Sequence, residues 1–160
     1  MKAMIIRKSG APEVFELADI PVPEIGPQQV LVRVAATSVN PVDWKIRKLG
    51  PPIGPEMPAV LQGDVSGLVE AVGREVSDFK IGDEVYGCAG GVKGTGGALA
   101  EFMACDGEYL APKPSNLSME EAAALPLVCL TAWEGLVDGA NVGWGQTVLV
   151  HAGVGGVGHV

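Results

Sequence analysis

The segment TVLVHAGVGGVGHV, residues 147–160, carries the densest chemistry-bearing pattern in the sequence. Gly153, Gly155 and Gly158 stand in G-x-G-x-x-G spacing, with Gly156 as an extra. They follow an apolar run, TVLVHA, of the kind that forms a parallel strand buried on both faces. In that position the pattern reads as a dinucleotide-binding loop, with an ordinary glycine-rich strand–helix turn as the alternative. The first glycine allows the tight turn, the second lets the backbone approach a pyrophosphate, and the third permits close helix–strand packing. Backbone amides at the following helix N-terminus hold the anion, so the expected contacts come from Ala152, Gly153, Gly155, Gly156 and Val157. One parallel strand needs neighbours to pair with, and none follow. The acidic residue expected about 20 positions further on is also absent. The chain is therefore expected to be truncated, holding one domain and the opening of a second.

Other reactive side chains are scattered. Cys88, Cys105 and Cys129 are odd in number and contain no CxxC pair, which excludes a disulfide framework and a structural zinc ribbon. Cys129 reads as a small buried apolar residue. His151 ends the apolar run and reads as structural, and His159 lies where the loop should enter a helix.

The elements that must position these groups are short. KAMII (2–6), VFELADI (14–20), VLVRVAATSV (30–39), SGLVEAV (66–72), DEVYGC (83–88) and LAEFMAC (99–105) read as strands between Gly, Pro, Asn and Asp turns. Many short strands predict a barrel or sandwich. PVPEIGPQQ (21–29) reads as an extended surface connection, and CAGGVKGTGGA (88–98) as a mobile glycine-rich loop. Near 117 the pattern changes. Ser118 and Glu121 have capping-box spacing ahead of an alanine run, Pro126 ends or kinks that helix, and 130–139 reads as a second helix closed by Gly139. The expected organisation is α+β, mainly β: a β-barrel domain at 1–117, a helical link at 118–145, and at 146–160 the first strand and glycine loop of an α/β domain.

Composition narrows the partners. Eleven basic against nineteen acidic residues give a net charge of −8, which argues against nucleic acid or an anionic membrane as partner. The N-terminus lacks the apolar run of a signal peptide, and no apolar run approaches a membrane span. A soluble protein of a reducing compartment, the cytoplasm, is expected.

VNPVDWKIR, GDVSGLVEAVGREVSDFKIGDEVYG, GALAEF, EAAALPLVCLTAWEGL and VLVHAGVGGVGHV occur in this order. With them the chain resembles the medium-chain dehydrogenase/reductases, and within these the zinc-independent quinone oxidoreductases. The resemblance runs from Lys2 to Val160. It implies a GroES-like β-barrel catalytic domain followed by a Rossmann domain, with NADPH bound in the cleft between them and a homodimer in complete members. The zinc-dependent branch has a Cys ligand and a Ser or Thr relay residue where this chain has Asn40 and Val42, while the acid remains as Asp43. That branch has Gly-His-Glu where this chain has Gly63, Asp64 and Val65. A catalytic zinc wants three ligands from Cys, His and carboxylate, so no metal is expected.

Without a Lewis acid the suitable acceptor is one that spreads charge by conjugation. The implied reaction is hydride transfer from NADPH to a quinone or α,β-unsaturated carbonyl, with solvent completing protonation. A zinc alcohol dehydrogenase with unusual ligands and a non-catalytic NADPH-binding member are the alternatives. Asn40 is a candidate to donate to the substrate oxygen or the nicotinamide ribose, or else to cap the turn before Pro41. Asp64 either lines the substrate pocket or makes a turn hydrogen bond, and Asp43 reads as structural. Thr131, heading the second helix, would cap it or reach the cofactor ribose or phosphate. Trp44 and Tyr86 would wall a planar acceptor or pack in the core, and the 88–98 loop would act as a lid. The 160-residue piece is expected to fold its barrel without binding nucleotide tightly or turning over.

Overall fold

Two antiparallel sheets organise the computed structural model, which describes residues 1–50 and 52–160. The first has the order β2 (Phe15–Asp19), β1 (Lys2–Ile6), β4 (Ala59–Val60). The second has the order β7 (Phe102–Asp106), β3 (Gln29–Thr37), β5 (Asp64–Val72), β6 (Glu84–Cys88), β8 (Ala111–Pro112). β1 pairs with β2 along its whole length, and on its other edge, outside the β4 pairing at Ile5 and Ile6, it reaches the 99–101 segment. The Met4 amide donates to the Leu99 carbonyl at 2.9 Å and the Glu101 amide to the Lys2 carbonyl at 3.0 Å. These bonds join the sheets into a barrel-like wrap and leave few free edges.

β3 and β5 form the centre because their residues suit a pleated surface buried on at least one face. Val30 and Val32 of β3 face Val65, Val69, Val85, Met103 and Cys105 in one cluster, all nearly inaccessible. Each such apolar side chain contributes about 1.5–3 kcal/mol by leaving water. The β3–β5 register slips between Leu31 and Val32 and again between Val34 and Ala36. Such bulges bend and twist a strand, which a closing sheet requires. A second cluster of Ile6, Ile46, Ala59 and Leu61 fills the space under α1 (Pro41–Leu49).

The expected strands at 2–6, 14–20, 30–39, 66–72, 83–88 and 99–105 form, with boundaries shifted by up to three residues. The 88–98 segment differs from expectation. Gly90, Gly91 and Gly97 serve close backbone approach, while Gly94 and Gly96 stand in open space. A Cβ on Gly97 would stand 2.1 Å from the Leu61 carbonyl, and one on Gly91 would stand 2.7 Å from the Gln62 backbone. The Ala98 amide donates to Gln62 O at 2.8 Å and the Gly91 amide to Gly96 O at 2.8 Å. The segment is bonded against the turn that precedes β5, so it offers no free lid.

Beyond the barrel lie α2 (Met119–Ala123) and α3 (Pro126–Trp133), followed by a π-helical stretch, Glu134–Gly139. The Ser118 capping box forms in full: Glu121 N–H donates to Ser118 Oγ, and Ser118 N–H to Glu121 Oε2. Pro126 ends one helix and opens the next, occupying the first position of α3 where its missing N–H costs nothing. The second helix therefore starts at 126, earlier than the expected 130.

Residues 147–152 depart most from expectation. They form no strand, and Val148, Leu149 and Val150 are 43%, 81% and 49% exposed. The cause is the pairing rule: a strand is defined by its neighbours, and among the described residues none lies beside it. The glycines after it form turns rather than a loop leading into a helix.

Candidate active site

Strand periodicity decides which β5 side chains meet the helices. Residues two apart on a strand share a face, so Asp64 and Ser66, both with no solvent exposure, point the same way. Ser66 Oγ donates to the Met119 carbonyl at 2.6 Å, fastening α2. Asp64 does more. Its Oδ1 accepts from the Leu127 amide at 3.0 Å, and its Oδ2 accepts from Ser38 Oγ and Asn40 Nδ2, both at 2.7 Å. The Thr37 hydroxyl bonds the Asp64 carbonyl at 2.6 Å. A carboxylate that accepts from three donors is well solvated by protein in place of water.

The Leu127 contact has a local reason. α3 opens at Leu125 with helical backbone angles and no side-chain cap. A local Ser, Thr or Asp cap needs an extended conformation at that residue. The first-turn amide of Leu127 would otherwise be an orphan donor, and Asp64 supplies the cap from a strand 63 residues earlier in sequence.

Asn40 stands at the N-cap of α1, followed by Pro41 at the first helical position. Its backbone amide donates to Asp43 Oδ2 at 2.6 Å, and the Asp43 amide returns a bond to the Asn40 carbonyl at 3.0 Å. Its side-chain NH₂ is committed twice, to Asp64 Oδ2 and, at 3.1 Å, to Ser38 Oγ. The carboxylate can only accept, which fixes which end of the amide faces it. Asn40 is 6% exposed. Donation from Asn40 to a substrate oxygen would first break one of these bonds, and its Oδ1 is the group left to accept.

Asp43 and Asp64 form a buried acidic pair. Burial pushes the Asp43 carboxyl above its usual value, the bond from the Asn40 amide opposes this, and the Asp64 charge adds to the rise. Across the β5–β6 ladder, Cys88 is the register partner of Asp64. Burial first, and then the Asp64 carboxylate, push its thiol up to about 12, so it stays protonated and unreactive near neutrality. Among the described residues no three His, Cys, Asp or Glu side chains gather as a metal-ligating group.

Two clefts flank these elements. One, of about 370 Å³, lies between α3 and β6 and is lined by Tyr86, Cys88, Leu110, Leu125, Leu130 and Trp133 among others. A larger one, of about 630 Å³, lies among residues near Met1, Pro55 and Lys93 and contains none of the candidate residues. Trp44 lines neither cleft. It is 45% exposed on α1, with Lys45 Nζ 5.9 Å from its ring, so it forms no wall with Tyr86. The aromatics that share the cleft with Tyr86 are Tyr109 and Trp133, which sequence reasoning missed. Cys129, expected to be buried, is exposed and borders the same cleft, because helical spacing turns it away from Val128 and the barrel.

Thr131 lies inside α3, and its hydroxyl donates to the Leu127 carbonyl at 2.9 Å, so it does not head or cap a helix. Ala152, Gly153, Gly155, Gly156 and Val157 sit in the run of turns at 151–159. Ala152 has φ +57 and its carbonyl accepts from the Gly155 amide at 2.8 Å. A Cβ on Gly156 would lie 3.3 Å from Val128 Cγ1, so the loop rests on α3. The structure therefore brings Asn40 and Asp64 into direct contact and places the glycine loop against the helix that Asp64 caps. Ser38, Cys88 and the Leu127 amide belong to the same cluster and were not foreseen.

Residues 26–115 match the model of the alcohol dehydrogenase GroES-like domain, more than half of the chain. The chain belongs to the medium-chain dehydrogenase/reductases. It is 43% identical over 166 residues to a tomato (Solanum lycopersicum) 2-methylene-furan-3-one reductase, covering 99% of this chain and 42% of the relative. It is 42% identical over 165 residues to the chloroplastic NADPH-dependent alkenal/one oxidoreductase of Arabidopsis thaliana, with the same coverage. To the Mus musculus quinone oxidoreductase it is 38% identical over 159 residues, covering 99% and 47%. Among solved structures, an alcohol dehydrogenase superfamily protein of Novosphingobium aromaticivorans superposes with TM-score 0.92 at 48% identity, over 99% of this chain and 48% of that one. A mycobacterial protein complexed with NADPH superposes at 0.86 and 36% identity, over 99% and 47%. The chain spans about half the length of the curated relatives it matches. The barrel is thus the GroES-like domain of an oxidoreductase family.

Proposed function

We propose that a protein carrying this chain transfers hydride from NADPH to a quinone or an α,β-unsaturated carbonyl, without a metal. The observation that carries the reading is the similarity, across 99% of the chain, to proteins named for reducing conjugated carbonyls and quinones. The chemistry is consistent with it. A conjugated acceptor delocalises the charge that arrives with the hydride, so hydrogen bonds and a dry apolar wall can stand in for a Lewis acid. The cleft under α3 supplies such a wall in Tyr86, Leu125, Leu130 and Trp133, and its volume is within the usual range for a small-molecule site.

By type and spacing the residues present suit the phosphate half of a dinucleotide, although the turns they form lead into no helix among the described residues. The 152–157 loop exposes glycine backbone, and a Cβ on Gly158 would stand 2.3 Å from the Ala152 carbonyl, so the turn tolerates no side chain there. Ala152, Gly153, Gly155, Gly156 and Val157 would hold the pyrophosphate, with Thr131 toward the ribose. NADPH when bound supplies the hydride; the chain's own groups orient the acceptor and exclude water. Asn40 remains a polar candidate toward the acceptor, through its Oδ1. Homodimerisation belongs to the same proposal.

The test is NADPH oxidation followed at 340 nm with a panel of small quinones and enones, using protein purified without chelator and assayed for transition metals. Turnover of a conjugated acceptor by metal-free protein is expected. Turnover of simple alcohols or ketones alone, or loss of activity on removing a stoichiometric metal, would overturn the proposal.

A further inference from the structure

The cleft has two walls, α3 on one side and β6 on the other, and a single side chain stands behind both. Asp64 pairs with Cys88 of β6 across the sheet ladder. Through Oδ1 it holds the Leu127 amide in the first turn of α3. Its other oxygen holds Ser38 and Asn40, which set the start of α1. It has no exposed surface and lines neither cleft, so it has no access to a ligand.

We propose that Asp64 is a positioning residue, whose buried carboxylate fixes how α3 crosses β6 and thereby the separation of the two cleft walls. α3 begins without a cap of its own, so its first turn depends on a partner from elsewhere. Only a group that accepts in several directions can serve that turn and the Ser38–Asn40 turn together, and a carboxylate is such a group. Leu125, Pro126, Cys129, Leu130 and Trp133 follow the anchored turn rigidly, since they share its helix or its entry. The link to acceptor binding rests on the function proposed above; the anchoring itself does not.

The experiment therefore has two arms. In the unaltered chain, hydrogen exchange should protect the Leu127 amide as strongly as the β3 and β5 core amides. An uncapped first-turn amide exchanges rapidly, and that result would overturn the anchor whether or not any variant folds. In Asp64→Asn, one oxygen becomes an NH₂ facing donors, and Leu127 protection should fall about tenfold or more relative to β3. In the protein assayed with NADPH and 1,4-benzoquinone, the same variant should raise KM for the quinone about tenfold, with KM for NADPH held within about twofold. Lower kcat with both KM values unchanged would mean only less folded enzyme and would overturn the positioning role. If the unaltered protein reduces no quinone or enone, the functional proposal fails while the exchange arm still decides the anchor.

Discussion

Gln62 should be worse for this protein than glycine. It sits in the turn entering β5 with φ +75, a left-handed conformation, and its side chain is 7% exposed with Oε1 lacking a hydrogen-bond partner among the described residues. The conformation costs an L-residue about 1–2 kcal/mol, and a buried unpaired acceptor about 1–3 kcal/mol. Replacing it with glycine removes both. Against this, glycine loses about 0.5–1 kcal/mol more backbone entropy on folding, and the two methylenes of the Gln stem forfeit about 0.8 kcal/mol each in burial. Taking the middle of each range leaves Gln62→Gly more stable by about 1 kcal/mol. With a urea slope of about 2 kcal/mol/M, the midpoint should rise by about 0.5 M at unchanged slope. Gln62→Ala supplies the control, because it removes the orphan oxygen but keeps the strained backbone, and its midpoint should fall below that of the glycine variant. Circular dichroism of the three proteins reads all of this. A glycine variant that unfolds earlier than the alanine variant would show that no strain is held at this turn, and the reasoning would fail.

Three further outcomes follow from the same geometry. Asp43 has its folded pKa raised from 3.8 by burial and by Asp64, so its stabilising contribution is fully present below the unfolded value and is lost as pH rises through the folded one. Asp43→Asn should therefore gain stability relative to the parent as pH goes from about 3 to 7, seen as converging or crossing urea midpoints. Gly97→Ala forces a methyl to within 2.1 Å of the Leu61 carbonyl and should cost about 1–3 kcal/mol, whereas Gly96→Ala meets nothing within 4 Å and should leave the midpoint nearly unmoved. In native protein, iodoacetamide should label Cys129, which is exposed, well ahead of Cys88, which is half-buried and raised to about 12, while Cys105, buried and also raised to about 12, should label only on unfolding; peptide mass spectrometry distinguishes the three.

The barrel was legible because its strands are written in local signals. Val30 to Thr37 and Asp64 to Val72 alternate or run apolar between turn residues, and hydrophobic pattern needs no tertiary knowledge. α1 was missed although its signals are present: Asn40 at the cap, Pro41 at the first position, Asp43 in the first turn and Arg47 and Lys48 in the last. The NPV triplet looked like a turn because a cap and a turn begin with the same residues. β4 and β8, of two residues each, are too short to carry a period. The 147–152 run fails for the opposite reason. Its pattern is strong, but a parallel strand is a property of the strands beside it, and pattern alone cannot supply them.

The candidate site was half legible for a related cause. Asn40 and Asp64 could be named from residue type and family resemblance, but their roles depended on who else arrives. The sign that Asp64 is an anchor rather than a reagent was present as its spacing from Ser66: two polar residues two apart in the buried first half of a strand must be met by partners, since burying them unpaired is costly. Sequence could not say that the partners are the Met119 carbonyl and the Leu127 amide, because backbone groups carry no residue identity. The helices beyond the barrel are thus fastened to it by contacts that any side chain at 119 or 127, other than proline at 127, would preserve. The polar specificity of the junction is stored on β5, beside the apolar packing of Ala122, Ala123 and Val128. A substitution at Asp64 or Ser66 should therefore disturb the junction far more than substitutions of the helix residues whose backbones they hold.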